Sequence, residues 1–305
     1  MRGDDAVIAT DLVPTISVVV PTFGRPDALR RCLRALARQE YPHDRYDVVV
    51  VDDGSPVPPR EVVGSVESPL RTRLVCQPHR GPAAARNKGA AQARGEFLAF
   101  TDDDCMPSEQ WLPSLASALG QYPGAAVAGS TINALPDNAF ASGAQSLIDY
   151  LYGYYNASPA DGRFLTANNV ALPAAAFREI GGFDATFASA GGEDRDFCDR
   201  WLASGRRLIH EASARVSHAH HMTLSGFVRQ QFEYGRGACR YHRLRTRRGG
   251  GRVAIEPPAF YAKMFTHPFT AQPWPRAVVT SLLFAASQAA NTAGFIAERL
   301  SGPSR

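Results

Sequence analysis

Three consecutive aspartates, Asp102, Asp103 and Asp104, close a short apolar run. Carboxylates crowded this closely raise one another's pKa unless a positive charge neutralises them. A divalent cation does so economically: hard oxygen ligands suit Mg2+ or Mn2+, and a metal held by one or two carboxylates keeps positions open for phosphate oxygens. Taken alone, the same triplet serves equally well as a solvated acidic loop or a helix cap before Pro107. Asp52-Asp53-Gly54-Ser55 carries the same choice: Asp-Gly-Ser is ordinary turn chemistry, yet past a buried strand an aspartate can accept hydrogen bonds from nucleotide base N–H or ribose hydroxyl groups. Arg86 offers a guanidinium for phosphates or for bracing the acidic groups, unless it is a plain surface arginine. Glu193-Asp194-Arg195-Asp196 reads, without further context, as an acidic first helical turn complementing the helix dipole. His218-Ala219-His220-His221 places three imidazoles within four positions.

These residues need elements to hold them. The β-branched run Ile16–Val20, the apolar run Val48–Val51, and stretches over 73–76 and 97–100 read as strands. Residues 27–39, with Leu29, Cys32, Leu33 and Leu36 at helical spacing, and the alanine-rich 82–93 read as helices. Strands alternating with helices of this length imply an α/β fold with a mostly parallel sheet covered on both faces. Ligands of such sheets bind beyond the carboxyl ends of the strands, where both aspartate clusters fall. After residue 135 the pattern loosens. An aromatic-rich segment, 140–155, precedes a strand expected over 166–172 that carries Asn168 and Asn169; the loop Gly181-Gly182-Phe183-Asp184 and Gly191-Gly192 follow. This half is expected to close over the first and shape the acceptor side.

Bulk properties set outer limits. With 305 residues, 45% of them hydrophobic, the chain can bury a substantial core. Its 33 basic and 29 acidic residues give a net charge of +4, too small to argue for nucleic acid. The five cysteines, Cys32, Cys76, Cys105, Cys198 and Cys239, show no metal-ligand or CxxC spacing and are expected as reduced thiols. Residues 1–13 lack a continuous apolar core, which argues against an export signal and for a cytoplasmic location. No GxxxxGK[ST] loop and no GxGxxG after the first strand is present, so P-loop kinases and dehydrogenases fit poorly.

Together, Pro21-Thr22-Phe23-Gly24-Arg25, Asp52-Asp53-Gly54-Ser55, Ala85-Arg86-Asn87-Lys88-Gly89, Asp102-Asp103-Asp104, Gly181-Gly182-Phe183-Asp184 and Gly192-Glu193-Asp194 resemble, in order, the motifs of the family 2 glycosyltransferases. The resemblance covers roughly residues 15–220 and is far more specific than any one motif. It implies a GT-A (Rossmann-like) fold, a mixed sheet flanked by helices, with a C-terminal helical extension, and an inverting sugar transfer from a nucleotide-sugar donor. It implies that Pro21, Thr22, Arg25, Asp52 and Asp53 hold the nucleotide, joined by Arg86, and that Asp102 and Asp104 end a D-x-D motif spanning Asp103. Asp104 would then ligate Mn2+ or Mg2+, with Asp102 nearer the ribose. A histidine, His218 or His220, would complete the metal shell. Asp194, flanked by Glu193, matches the position of the general base that takes the acceptor proton. Asn168, Asn169 and Asp184 fall on the acceptor side. Glu193 favours a raised Asp194 pKa and the helix N-terminus opposes it. A second reading keeps the fold as a nucleotide-sugar-binding module without turnover; a metal ligand and a base together argue against it.

The expected catalytic domain, 14–222, precedes a basic helix over 223–248. There Arg229, Arg236, Arg240, Arg243 and Arg247 fall in one stripe opposite Phe227, Tyr234, Ala238 and Tyr241. Such a helix either meets an anionic membrane or phosphate-bearing acceptor, or packs its aromatic face on the domain with the arginines solvated. A Gly/Pro-rich linker at 249–259 leads to an uncharged stretch, 277–297, about long enough to span a bilayer but weakened by Ser281, Ser287, Gln288, Asn291 and Thr292. The expected location is therefore the cytoplasmic face of the membrane, and the acceptor a glycan, a lipid-linked species or a small molecule.

Overall fold

The computed structural model describes residues 15–66, 70–158, 161–187, 191–251 and 255–302. The leader reading of residues 1–13 and part of the expected linker, 252–254, lie outside the described residues. The first half alternates as its sequence requires: β1 (Ile16–Thr22), α1 (Pro26–Leu36), β2 (Tyr46–Asp52), α2 (Arg60–Gly64), β3 (Arg71–Cys76), α3 (Pro82–Gln92), β4 (Phe97–Thr101) and β5 (Cys105–Pro107). All of β1 is buried, because a central strand covered on both faces needs apolar residues at every position. α1 starts on a proline, whose missing N–H costs nothing in the first turn, and buries Leu29, Cys32, Leu33 and Leu36.

The second half comprises α4 (Trp111–Gln121), β6 (Ala126–Asn133), α5 (Ala139–Tyr155), β7 (Asn169–Pro173), α6 (Ala174–Glu179), α7 (Glu193–Ala203) and β8 (Leu208–His218). One sheet results, in the order β3-β2-β1-β4-β7-β6-β8-β5. β3, β2, β1 and β4 run parallel, as do β6 and β8; β7 opposes both its neighbours, and β5 opposes β8. β1 and β2 pair Thr22 with Asp52, which brings their carboxyl ends to the same edge. β7 starts at Asn169 rather than near 166. Thr166 Oγ1 donates to Asn168 Oδ1 at 2.7 Å and the Asn169 N–H returns to the Thr166 carbonyl, a turn that competes with the ladder.

The remaining helices are α8 (Leu224–Arg247), α9 (Pro258–Thr266), α10 (Pro268–Ala271) and α11 (Trp274–Leu300). α8 carries the expected arginine stripe, but most of it turns towards α11. Arg236 and Arg240 bind the Glu298 carboxylate at 3.0 and 2.8 Å, and Arg243 donates to the Glu298 carbonyl at 2.6 Å. Only the outer members, Arg229 and Arg247, are exposed. The stripe is therefore mainly an interhelical lock, while Phe227 and Tyr241 are buried as the packing alternative required. α8 and α11 touch backbone to backbone: a Cβ on Gly235 would stand 1.9 Å from the Asn291 carbonyl, and one on Gly294 as close to that of Phe232.

α11 contains the uncharged stretch and lies along the domain, with Leu283 packed against Ala141, Met222 and Phe227, and Phe284 against Leu147, Tyr150, Phe260 and Met264. No helix among the described residues is long and apolar enough to cross a membrane. All five cysteines are unpaired thiols.

Candidate active site

The triple aspartate occupies the tight connection from β4 to β5, and its three carboxylates take three directions. Asp103 is fully buried: it accepts a 2.6 Å hydrogen bond from Thr22 Oγ1 and pairs with Arg25 at 2.5 Å. Burial, opposed by Arg25 and Thr22, pushes its carboxyl up to about 7. Asp103 is a brace beneath the cleft and, unlike its two neighbours, is not part of its lining. Asp102 and Asp104 line the cleft.

Asp104 is set against the histidines by strand register. β5 pairs with β8 so that Cys105 faces His218, and the Ala219 N–H donates to the Asp104 carbonyl at 2.8 Å. His218 Nε2 then lies 3.2 Å from Asp104 Oδ1, and His220 Nδ1 lies 3.2 Å from Oδ2. Burial works to raise the Asp104 pKa, but the His218 and His220 hydrogen bonds and the positive charges of His218 and Arg25 outweigh it and hold the carboxyl well below the usual range. His218 is correspondingly raised: its contact with Asp104 overcomes burial. Asp104 Oδ1 is buried and faces the His218 ring nitrogen, an acceptor suited to a cation shared with that imidazole. A carboxylate joined by one or two imidazoles is a donor set that fits Mn2+ better than Mg2+. The Cys105 thiol lies close by, within reach of the same point as Asp104 and His218, and burial raises its pKa well above normal.

Asp52 and Asp53 sit where their motif places them, with their carboxylates already engaged. Asp52 Oδ1 accepts the Ser55 N–H at 3.1 Å, and Asp52 does not reach the cleft wall. Asp53 Oδ1 accepts Gln77 Nε2 at 2.7 Å and the Arg80 N–H at 2.9 Å; Oδ2 takes the Gly81 N–H at 2.8 Å and faces His79 Nδ1 at 2.9 Å. Asp53 thus pins the loop leading into α3 at the cleft edge. Pro21, Thr22 and Arg25 also line the cleft. Two further lining residues were not singled out from the sequence: Phe23 and His79, whose ring centres lie 4.4 Å apart. The available signal was the position of Phe23 inside the Pro-Thr-Phe-Gly-Arg motif.

Across the cleft, α7 begins with Glu193 and Asp194 immediately after Gly192. Gly192 adopts φ 94°, and a Cβ there would stand 2.7 Å from the Gly237 carbonyl of α8, so only glycine allows this entry. Arg86, buried in α3, joins the two acidic groups: Nη2 donates to Asp102 at 2.7 Å and Nη1 lies 3.8 Å from Glu193. Glu193 also accepts the Gly191 N–H at 2.6 Å. Asp194 Oδ1 is buried without a hydrogen bond. The contest over its pKa is thereby decided: burial, then the charge of Glu193, raises the carboxyl well above the ordinary range against the opposing pull of Arg86 and the Ala167 backbone.

The expected acceptor residues separate. Asn168 lines the cleft. Asn169 is fully buried, accepting from Trp111 Nε1 at 2.8 Å and donating to the Ser130 and Ala214 carbonyls at 3.0 Å each, so it ties β7 to its neighbours. Asp184 accepts from the Thr186 N–H and hydroxyl at 2.9 and 2.7 Å, a local turn outside the cleft. The cleft is also lined by groups from distant elements, including Tyr155, Phe164, Tyr234 and Phe260. Nothing in the local pattern marked these aromatics as cleft walls rather than core.

Residues 17–181 match the model of glycosyl transferase family 2, and residues 161–223 match that described as the N-terminal domain of galactosyltransferase. The chain is 32% identical over 254 residues to a pre-mycofactocin glycosyltransferase of Mycobacterium tuberculosis, covering 77% of this chain and 50% of the relative. It is 35% identical over 226 residues to a validoxylamine A glucosyltransferase of Streptomyces hygroscopicus, covering 65% and 50%. The chain thus spans about half the length of these relatives. In structure it is similar to a mannosyltransferase of Pyrobaculum calidifontis solved with GDP-Man and Mn2+, with a TM-score of 0.68 at 18% identity over 95% of this chain and 88% of that one.

Proposed function

Since the chain belongs to glycosyltransferase family 2, we propose that it transfers a sugar from a nucleoside-diphosphate sugar to an acceptor hydroxyl, with inversion at the transferred carbon. One observation carries this reading: a single cleft brings Asp102, Asp104, His218 and His220 together with Asp194, whose Oδ1 is buried without a hydrogen bond, and Arg86 spans the two groups. The GDP-Man and Mn2+ bound by the archaeal structural neighbour support a nucleotide-sugar donor and a divalent cation.

Asp104 with His218 or His220 would hold the metal, and Asp102 would face the donor ribose. When bound, Mn2+ or Mg2+ draws charge off the departing diphosphate. Arg25, which pairs with Asp103 and Asp104 at the same edge, would lend its positive charge to the phosphates. Asp194 accepts the proton of the acceptor hydroxyl as that oxygen attacks, which its raised proton affinity favours. Glu193 sustains that affinity by its charge, and Arg86 keeps the pair from rising too far to ionise. A base that removes the acceptor proton supports a single displacement and hence inversion.

A peripheral contact with an anionic membrane finds its support in α11 rather than in the arginine stripe. The outward side of α11 exposes Trp274, Leu282, Ile296 and Leu300, with Arg276 and Arg299 also exposed.

The deciding experiment is thermal unfolding with a panel of nucleoside diphosphates and their sugars, in Mn2+, Mg2+ or EDTA. A ligand that binds only the folded chain raises the melting temperature by mass action. A metal-dependent rise with one nucleotide is expected; the absence of any rise in well-folded protein would return the chain to a binding module of another kind. Proton NMR of the product anomer then tests inversion.

A further inference from the structure

Beyond Asp194 the cleft runs on along α8 and α11. Its volume, about 1250 Å3, exceeds the about 300–1,000 Å3 of a site for a single drug-sized ligand, leaving room for a second molecule beside a donor. Two helical faces meet there. Gln230, Gln231 and Tyr234 lie within about one turn of α8, and Ser287, Gln288 and Asn291 within about one turn of α11; all of them line the cleft. They converge because the two helices touch backbone to backbone at Gly235 and Gly294.

This seam is polar, uncharged and short of partners. Gln231 is almost fully buried, yet its amide is held by one bond, from the Ser287 hydroxyl to Oε1 at 2.8 Å, which leaves its NH2 group without a partner among the described residues. The side chains of Gln230, Tyr234, Gln288 and Asn291 likewise make no hydrogen bond among the described residues. The nearby cations of α8, Arg236 and Arg240, bind Glu298 instead.

The seam adjoins the base. A Cβ on Gly191, two residues before Glu193, would stand 2.8 Å from the Tyr234 ring. Burial and the charges of Glu193 and Asp194 raise the Tyr234 pKa, so its phenol stays protonated and can donate. Side-chain amides and hydroxyls both donate and accept, as the hydroxyls of a sugar or cyclitol do. Such a ring can displace water here and reproduce its hydrogen bonds. An apolar body would strand the amides, and an anion would meet Glu193 and Asp194 with no cation on the seam to offset them. Both helices lie beyond the two family matches, which end at residues 181 and 223.

Resting on the reading of Asp194 as the acceptor base, we infer that the seam between α8 and α11 is an acceptor subsite for an uncharged polyhydroxylated ring, a sugar or a cyclitol. Gln230, Gln231, Tyr234, Gln288 and Asn291 bind hydroxyls of that ring while another hydroxyl reaches Asp194.

The test uses the full chain and saturation-transfer NMR. The probes are the methyl glycosides of glucose, mannose and galactose, myo-inositol, and cyclohexanol as an apolar ring of similar size. Gln230→Leu and Gln288→Leu alter partly exposed positions, so the fold should survive; circular dichroism checks it. The unaltered chain is expected to bind at least one polyol, more tightly than cyclohexanol, and each variant to bind that polyol at least fivefold more weakly. No polyol bound, equal binding in both variants, or cyclohexanol bound as tightly as the polyol would overturn the inference. Melting shifts with metal and the nucleotide panel, read on the same samples, tell the acceptor from the donor sugar. A nucleotide-sugar shift retained in both variants fits an acceptor subsite; a shift that falls to that of the nucleoside diphosphate would give the seam to the donor sugar and overturn the inference. A shift in the unaltered chain without polyol binding removes only this subsite, and seam-dependent polyol binding without any shift removes only the donor reading.

Discussion

Arg25 Nη1 lies 2.6 Å from Asp104 Oδ2, on the carboxylate that also faces His218 and His220. The guanidinium neutralises the acidic connection from within the chain, so a metal ion and Arg25 compete for the same charge. Arg25→Ala is expected to tighten Mn2+ binding without nucleotide about tenfold, removing a positive neighbour, and to weaken nucleoside-diphosphate binding. Manganese EPR titration measures the first and calorimetry the second; unchanged Mn2+ affinity would show that the pair does not gate the metal.

Asp194→Asn keeps the shape of the site but removes the proton acceptor. The melting shift with metal and nucleotide should persist, while transfer falls by about 10²–10⁴, the usual contribution of general base catalysis. Near-normal turnover would move the base elsewhere.

The raised Asp194 pKa has a defined sign in both rate and stability. Transfer requires the ionised carboxylate, so the rate should climb with pH along a limb lying above the ordinary carboxylate range. Arg86 opposes the rise, so Arg86→Gln should move that limb to still higher pH. The folded chain holds this proton more tightly than the unfolded one, so its contribution to stability falls as pH rises from the unfolded pKa to the folded pKa. Asp194→Asn should flatten that part of the stability profile, as denaturant unfolding at several pH values would reveal.

Glu298 is covered by arginine side chains from α8, and those arginines have no equal partner on α11. Glu298→Ala should destabilise the chain by about 1–3 kcal/mol, the range for leaving hydrogen-bonding partners unsatisfied. Gly294→Ala, which sets a methyl against the Phe232 carbonyl, should also force α8 and α11 apart. Both are read as lower melting temperatures, and a neutral result for Glu298→Ala would mean the cluster is solvent-screened.

Removing the imidazoles tests the metal set. His218→Ala and His220→Ala should each weaken Mn2+ binding more than Mg2+ binding, since imidazole favours the former. Equal losses for both metals would assign the histidines to Asp104 alone.

What the sequence determined by itself was periodic and local. β-branched runs made β1 and β2, the 3.6-residue spacing made α1 and α8, and ordered motifs at a strand end and at a helix start located Asp102, Asp104 and Asp194. Burial on two faces dictates an unbroken apolar run, and a helix face dictates its spacing, so such features are written in contiguous residues. Tertiary structure decided what those residues meet. Only the β5–β8 register sets His218 against Asp104, and only the backbone contact at Gly235 and Gly294 turns an arginine stripe towards Glu298. Asn169 and Asp103 looked like ligands because their types suit ligands; the core claimed them because buried carbonyls, an indole and a guanidinium needed partners. Leu147 and Met264 share one cluster across more than a hundred positions, and no local pattern encodes a contact of that kind.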